Sequence, residues 1–218
     1  MTTRMEYDHQ LSELKHEIIR MGSLVEDVLA AAMQALVARD YEKAQRVIDG
    51  DDEIDDLQEL IEEKCIMLIA TQQPLAGDLR VIFAAIKMST DLERIADYGV
   101  GVAKTAIRLK NEEYIKPLID LPRMTSIACE MLNMSVRAFA NNDPELAIET
   151  AKRDNDLDSL FKQIYRELLT YVMESPRHIN QMMSFVLIAR YLERVGDHIT
   201  NVCESIVFNA TGKKMDLD

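Results

Sequence analysis

Two heptapeptides decide how this sequence is read: Asp91-Leu92-Glu93-Arg94-Ile95-Ala96-Asp97 and Tyr191-Leu192-Glu193-Arg194-Val195-Gly196-Asp197. Both contain Leu-Glu-Arg-(Ile/Val)-small-Asp, and they stand 100 residues apart. Each places acids at i and i+4, which puts two carboxylates on one stripe of a helix ~6 Å apart. Like charges at that spacing destabilise an isolated helix slightly. A cost that occurs twice in one chain points to a use that occurs twice, and a bound cation is the simplest such use.

The surrounding chain repeats as well. Asp40, Glu42 and Ala44 correspond to Asp143, Glu145 and Ala147, and Pro74 corresponds to Pro176. The run Asp51-Asp52-Glu53-Ile54-Asp55-Asp56-Leu57 corresponds to Asp154-Asn155-Asp156-Leu157-Asp158-Ser159-Leu160. Such self-similarity marks two copies of one supersecondary unit.

Apolar residues at 3-and-4 spacing, such as Leu11, Leu14, Ile18, Met21 and Val25, predict amphipathic helices throughout. The first half reads as helices over 7–39, 41–72 and 79–109, with Gly50 interrupting the second. The second half reads as helices over 123–141, 144–173 and 176–209. Asp40 and Asp78 are placed as N-caps, and Pro144 and Pro176 in first turns, where proline is tolerated. Residues 1–6 are expected to fray, 110–122 (with Pro117 and Pro122) to link the halves, and 210–218 to form a tail. The expected fold is all-α: two tandem antiparallel three-helix bundles, 1–112 and 113–218, related by an internal repeat.

Composition agrees. Only 7 Gly and 5 Pro occur in 218 residues, with no Trp and 48% hydrophobic residues. That suits long helices around a sizeable core. The 25 basic and 38 acidic residues give a net charge of −13, which repels nucleic acid and anionic lipid and attracts cations or basic partners. Cys65, Cys129 and Cys203 are an odd set without paired spacing and read as reduced core residues of a cytosolic protein. No signal peptide or membrane span is expected.

The turn between helices gives the acids a geometry. Asp55 lies 19 residues before Pro74 and Glu93 lies 19 after it; Asp51 and Asp97 are each 23 away. In the second half Asp158 and Glu193 lie 18 and 17 residues from Pro176, and Asp154 and Asp197 lie 22 and 21. Equal distances from the turn of an antiparallel hairpin mean equal height. Each half therefore sets two acid pairs level: Asp51, Asp55, Glu93, Asp97, and Asp154, Asp158, Glu193, Asp197. One acid pair alone is ordinarily a solvated helix face, and Arg94 and Arg194 offer neutralisation without metal. Four pairs, duplicated and level, favour a cation. All-carboxylate ligands suit Mg²⁺, Mn²⁺, Ca²⁺, Zn²⁺ or iron, and several acids together can bridge more than one ion. His198, directly after Asp197, and Asn201, one turn beyond it, are further potential ligands. The Glu6-Tyr7-Asp8-His9 spacing lacks the second copy that a di-iron site needs. The 13 methionines read as core filler. No Gly-rich phosphate loop, nucleophile elbow or zinc spacing occurs.

The doubled Leu-Glu-Arg-(Ile/Val)-(Gly/Ala)-Asp motif with its preceding Asp-x-x-x-Asp pairs resembles the PhoU family, from about Leu11 to Val207. The copy Leu192-Glu193-Arg194-Val195-Gly196-Asp197-His198-Ile199-Thr200-Asn201 is especially similar. The resemblance implies two three-helix bundles, metal bound by these eight acids (multinuclear in some members), and no enzymatic activity. It also implies a likeness to negative regulators of the phosphate-starvation response, which link a phosphate ABC transporter ATPase to a sensor histidine kinase. Such a regulator is expected to be cytoplasmic and homodimeric, to bind no nucleic acid, and to meet the membrane only through its partners. Tyr98 and Gly101 stand where the second copy has His198 and Asn201, so the first site is expected to be the weaker. Two other readings stay open: a carboxylate-bridged metalloenzyme, either oxidase or hydrolase, and a metal-free helical adaptor.

Overall fold

The computed structural model describes residues 2–217, with side chains from Glu6 onward. Its order is α1 (Thr2–Ala38), α2 (Tyr41–Asp49), α3 (Asp52–Gln72), α4 (Ala76–Arg108), α5 (Asp120–Asn141), α6 (Pro144–Ala151), α7 (Asp154–Glu174), a 3₁₀ turn (Pro176–His178) and α8 (Ile179–Thr211). No strand occurs among the described residues. The all-α repeat architecture holds, with three rods per half, but the middle rod of each half is broken.

The breaks have local causes. Gly50 closes α2 by donating its N–H to Arg46 O, and the chain turns before α3 begins. At the matching position of the second half stands Arg153 rather than a glycine. It is held by Glu130 at 2.6 Å and lies 3.4 Å from Met134 Sδ, at the bend between α6 and α7. The expected continuous helices 41–72 and 144–173 are corrected accordingly. Capping follows the sequence at two places: Asp40 accepts from Lys43 N at 2.9 Å, and Asp143 accepts from Leu146 N at 3.0 Å. Elsewhere it differs. Asp78 lies inside the first turn of α4, which begins at Ala76, and Pro176 opens a 3₁₀ turn rather than α8 itself. The α5 helix starts at Asp120, so Pro122 occupies its first turn, where no intrahelical donor is missed. Helix begins at Thr2 rather than after residue 6; Met1 lies outside the described residues, as does Asp218 of the expected tail.

Four long helices form the centre. The α1 helix lies along α4, where a Cβ at Gly99 would come within 2.8 Å of Val28 Cγ1, so glycine sets that close approach. Antiparallel α4 and α8 join the repeats, with Asp91 beside His198 and Arg108 beside Ser184. The α1 and α5 helices cross antiparallel, with Gly22 against Val136 and Glu26 near Asn133. On the outside, α3 packs on α1 and α4, and α7 packs on α8 and α5. Leu14, Ile18, Met21, Ile82, Met88, Leu92, Ile188 and Leu192 are fully or almost fully buried, in one core that runs through both halves.

One segment, Glu6–Ala38 of α1, is long and apolar enough to cross a membrane by length and composition, contrary to the expectation of none. Its apolar stripe (Leu14, Ile18, Met21, Val25, Leu29) is buried against the bundle, as in a core helix. Cys65 and Cys203 are buried, whereas Cys129 is only partly covered.

Candidate metal centres

The hairpin α3–α4 carries the first set of acids. Asp51 occupies the N-cap position of α3 yet makes no side-chain capping bond, and Asp55 follows one turn later. Both benefit from the positive end of the helix dipole. Glu93 and Asp97 come from α4. Burial raises the Asp51 carboxyl above its ordinary range, followed by repulsion from Asp55 and Asp97. Burial also raises Asp55, with Asp97 the next cause. Glu93 is raised by burial and then by Asp97, with Asp55 and Asp51 adding to it. These mutual influences place the four acids in one electrostatic neighbourhood. Arg94 answers them in part, at 3.1 Å from Asp97 and 3.5 Å from Glu93.

The hairpin α7–α8 carries the second set. Glu193 is only 8% exposed, and burial is the main cause raising its carboxyl; Arg190 works the other way. Arg190 pairs with Glu193 Oε1. Glu193 Oε2 is buried without a hydrogen-bond partner, and Arg194 Nε is 3.9 Å away. Arg194 also reaches Asp197 at 3.1 Å, and Lys162 reaches Asp158 at 3.0 Å. Asp154 at the start of α7 lies directly on α8. A Cβ at Gly196 would fall 2.0 Å from Asp154 Oδ1 and 2.8 Å from Leu157 Cδ1. Glycine is thus what lets this carboxylate approach the opposing helix, and its counterpart in the first set is Ala96.

Each hairpin therefore gathers its predicted acids, but not into a closed cage. Among the described residues, no three His, Cys, Asp or Glu side chains converge as ligands around one point. The arginines lie among the carboxylates, and Asp55 and Asp97 are exposed. A groove of about 840 Å³ between α1, α2 and α5 is lined by Met33, Val37, Leu118 and Cys129 and holds none of the eight acids.

His198 and Asn201 do not join the second set. His198 Nδ1 lies 2.9 Å from Asp91 Oδ1, and Asn201 Nδ2 donates to the same oxygen at 3.4 Å. The His198 ring also stacks near Tyr98, which in turn meets Tyr191. These residues tie one repeat to the other. Asp91 opens the quoted heptapeptide, and its pairing across the repeats was not foreseen. The signal was its correspondence with Tyr191: an acid facing His198 in one half matches a tyrosine facing Tyr98 in the other. His9 is exposed on α1, 3.6 Å from Glu13, and gathers no cluster.

A family model described as the PhoU domain matches residues 18–106 and 121–206, one segment in each repeat. The chain belongs to the PhoU family. It is 42% identical over 217 residues to a phosphate-specific transport system accessory protein PhoU homolog of Clostridium acetobutylicum, covering 99% of each chain. The homolog of Zymomonas mobilis is 39% identical, over 96% of this chain and 88% of that one. Crystal structures of PhoU agree in fold. PhoU from Pseudomonas aeruginosa superposes with a TM-score of 0.91 at 35% identity, over 95% of this chain and all of that one. The phosphate transport system regulatory protein PhoU from Streptococcus pneumoniae gives 0.90 at 30% identity, over 96% and 99%. These relatives are named as accessory or regulatory proteins, not as enzymes.

Proposed function

We propose that this PhoU-family chain is a cytoplasmic, metal-binding regulator of phosphate uptake and a negative regulator of the phosphate-starvation response. In this reading it is an adaptor between a phosphate ABC transporter ATPase and a sensor histidine kinase, works as a homodimer, and is not an enzyme. The observation that carries the regulatory part is the full-length likeness to proteins named as phosphate transport accessories. For metal, the supporting observations are the buried Glu193 Oε2 without a hydrogen bond, the Gly196 seat for Asp154, and the burial and mutual repulsion that raise Asp51, Asp55 and Glu93. All of the donors are hard carboxylate oxygens, which fit divalent or trivalent ions.

Asp51, Asp55, Glu93 and Asp97 would hold ions in one repeat, and Asp154, Asp158, Glu193 and Asp197 in the other. A bound cation supplies positive charge that neutralises the carboxylates and ties α3 to α4, or α7 to α8. The chain's own part is to bring the acids level on paired helices, with Arg94, Arg190 and Arg194 sharing them when no metal is bound.

The test uses cells lacking this chain, grown in excess phosphate and carrying a reporter on a starvation-responsive promoter. The reporter is expected to be on without the chain and off again with the wild-type chain. A variant with all eight acids converted to amides is expected to leave it on. A reporter that stays silent in the absence of the chain contradicts the regulatory reading. Full silencing by the amide variant contradicts the role of metal.

A further inference from the structure

Both hairpins expose apolar residues toward their tips, but in the second an apolar stripe runs on to the edge of the acid set. Along α7, Phe161, Tyr165, Leu169 and Met173 recur every fourth residue, continuing the line of Asp154 and Asp158. On α8, Ile179, Met183 and Val186 continue the line of Glu193 and Asp197 toward the tip. Met173 is 84% exposed and Met183 58%, and Tyr165, Leu169 and Ile179 are exposed as well. Phe161 touches Tyr165, and Arg190 lies over the Phe161 ring at 5.8 Å, so the face extends from the tip to the edge of the acid set.

The duplicate acts as an internal comparison. Counting from the matched acids, Phe161 and Tyr165 correspond to Gln58 and Glu62, and Arg190 to Thr90. The flanking charges are reversed: Lys162 and Arg166 stand where the first hairpin has Glu59 and Glu63. Ile66, Met67, Ile69, Leu75, Leu79 and Phe83 are exposed toward the tip of the first hairpin too, but Gln58, Glu59, Glu62 and Glu63 separate them from its acids. Arg166 and Arg177 are exposed and have no carboxylate partner among the described residues. In a chain of net charge −13, this is a basic-edged apolar stripe of helix length.

We propose that the α7–α8 face docks an amphipathic helix of a partner protein whose flanks are acidic. The fourth-residue spacing matches the i, i+3, i+4 anchors of helix-in-groove recognition, and Lys162, Arg166 and Arg177 would meet the acidic flanks. An anionic membrane fits less well: an extended anionic surface meets Asp158, Glu167 and Glu174 as well as the basic edge, whereas a helix can set its acidic residues opposite Lys162, Arg166 and Arg177 alone. The proposal goes beyond the regulatory reading in naming a face. It rests on that reading only in taking the chain to work by binding another protein.

The experiment replaces Tyr165 with photoreactive benzoyl-phenylalanine in the full-length chain inside its native cell, with Glu62 replaced in the same way as the control. Irradiation is expected to give a protein adduct from position 165 whose cross-linked peptide is an acid-rich amphipathic helix, and no such adduct from position 62. Adding Lys162→Glu and Arg166→Glu is expected to lower its yield about tenfold. Adducts only to lipid, only to a second copy of the chain, or not at all overturn the proposal, as does a yield indifferent to charge reversal. If the captured protein belongs to neither phosphate transport nor phosphate sensing, the docking face stands and the adaptor reading fails.

Discussion

The two acid sets stand on copies of one hairpin, yet they are compensated differently. In the first set, among the described residues, Arg94 alone makes direct ion pairs, to Glu93 and Asp97. Three cations enter the second: Lys162 on Asp158, Arg190 on Glu193, and Arg194 on Glu193 and Asp197. Asp51, Asp55 and Glu93 of the first set are raised by burial and by neighbouring acids, against Lys104 or Arg94; Glu193 of the second is raised by burial and by Asp197 and Asp158, against both Arg190 and Arg194. Duplication preserved the positions of the acids while their neutralisation diverged. The first set, with more unanswered negative charge, should therefore gain more from a cation. This reverses the order implied by His198 and Asn201, which serve the junction with Asp91 instead.

The largest expected difference comes from exchanging the small residues. Gly196→Ala places a methyl on Asp154 and Leu157 and should weaken cation binding by the second set by roughly 10- to 100-fold. The gain in helix propensity, about 1 kcal/mol, offsets part of the crowding cost, so folding stability should change much less than binding. Ala96→Gly should leave binding by the first set intact and cost about 1 kcal/mol of stability. Calorimetric titration with Mn²⁺ reads both, and equal losses in the two variants would erase the distinction between the sets.

Removing compensation is the next test. Arg190→Ala leaves the buried Glu193 carboxylate with only Arg194, 3.9 Å away, and should lower metal-free stability by roughly 1–3 kcal/mol in urea unfolding. Mn²⁺ should restore most of that loss. The converse change, Thr90→Arg, should weaken cation binding by the first set and bring it closer to the second.

A smaller effect comes with pH. A carboxyl raised in the folded protein binds protons more readily there than in the unfolded chain. Its stabilising contribution is present below the ordinary carboxylate range and is lost as pH rises through the folded value. The metal-free protein should therefore melt higher at mildly acidic than at neutral pH. Asp51→Asn combined with Glu93→Gln should flatten that slope more than Glu193→Gln does. Added metal should reverse the trend, because protons and cations compete for the same oxygens. Melting curves across pH with and without Mn²⁺ measure this, and a slope unaffected by the first-set amides would assign it to other groups.

Much of the fold was legible because the signals were long-range and repeated. The 3-and-4 spacing of Leu14, Ile18, Met21 and Val25 defines a buried stripe, and the matched distances from Pro74 and Pro176 set the acids level. What failed to show was tertiary. The bend after Ala151 has no glycine to announce it and rests on Arg153 contacts with α5. Likewise, helical periodicity places His198 within a turn of Asp197 but does not say which neighbouring helix its ring meets. That depends on how α4 and α8 pack, and there Asp91 provides the partner. The seat at Gly196 was present in the sequence as a Gly/Ala difference between copies, but only the 2.0 Å approach of Asp154 gives it meaning.

The central claim is that each hairpin holds cations between its paired helices. Crystals grown with Mn²⁺ and measured across its absorption edge test it most directly. The account predicts anomalous peaks within bonding distance of Asp51, Asp55, Glu93 and Asp97, and of Asp154, Asp158, Glu193 and Asp197, with Arg190 turned away from Glu193. Arginines still paired as described here, with no anomalous density at either set, would contradict it.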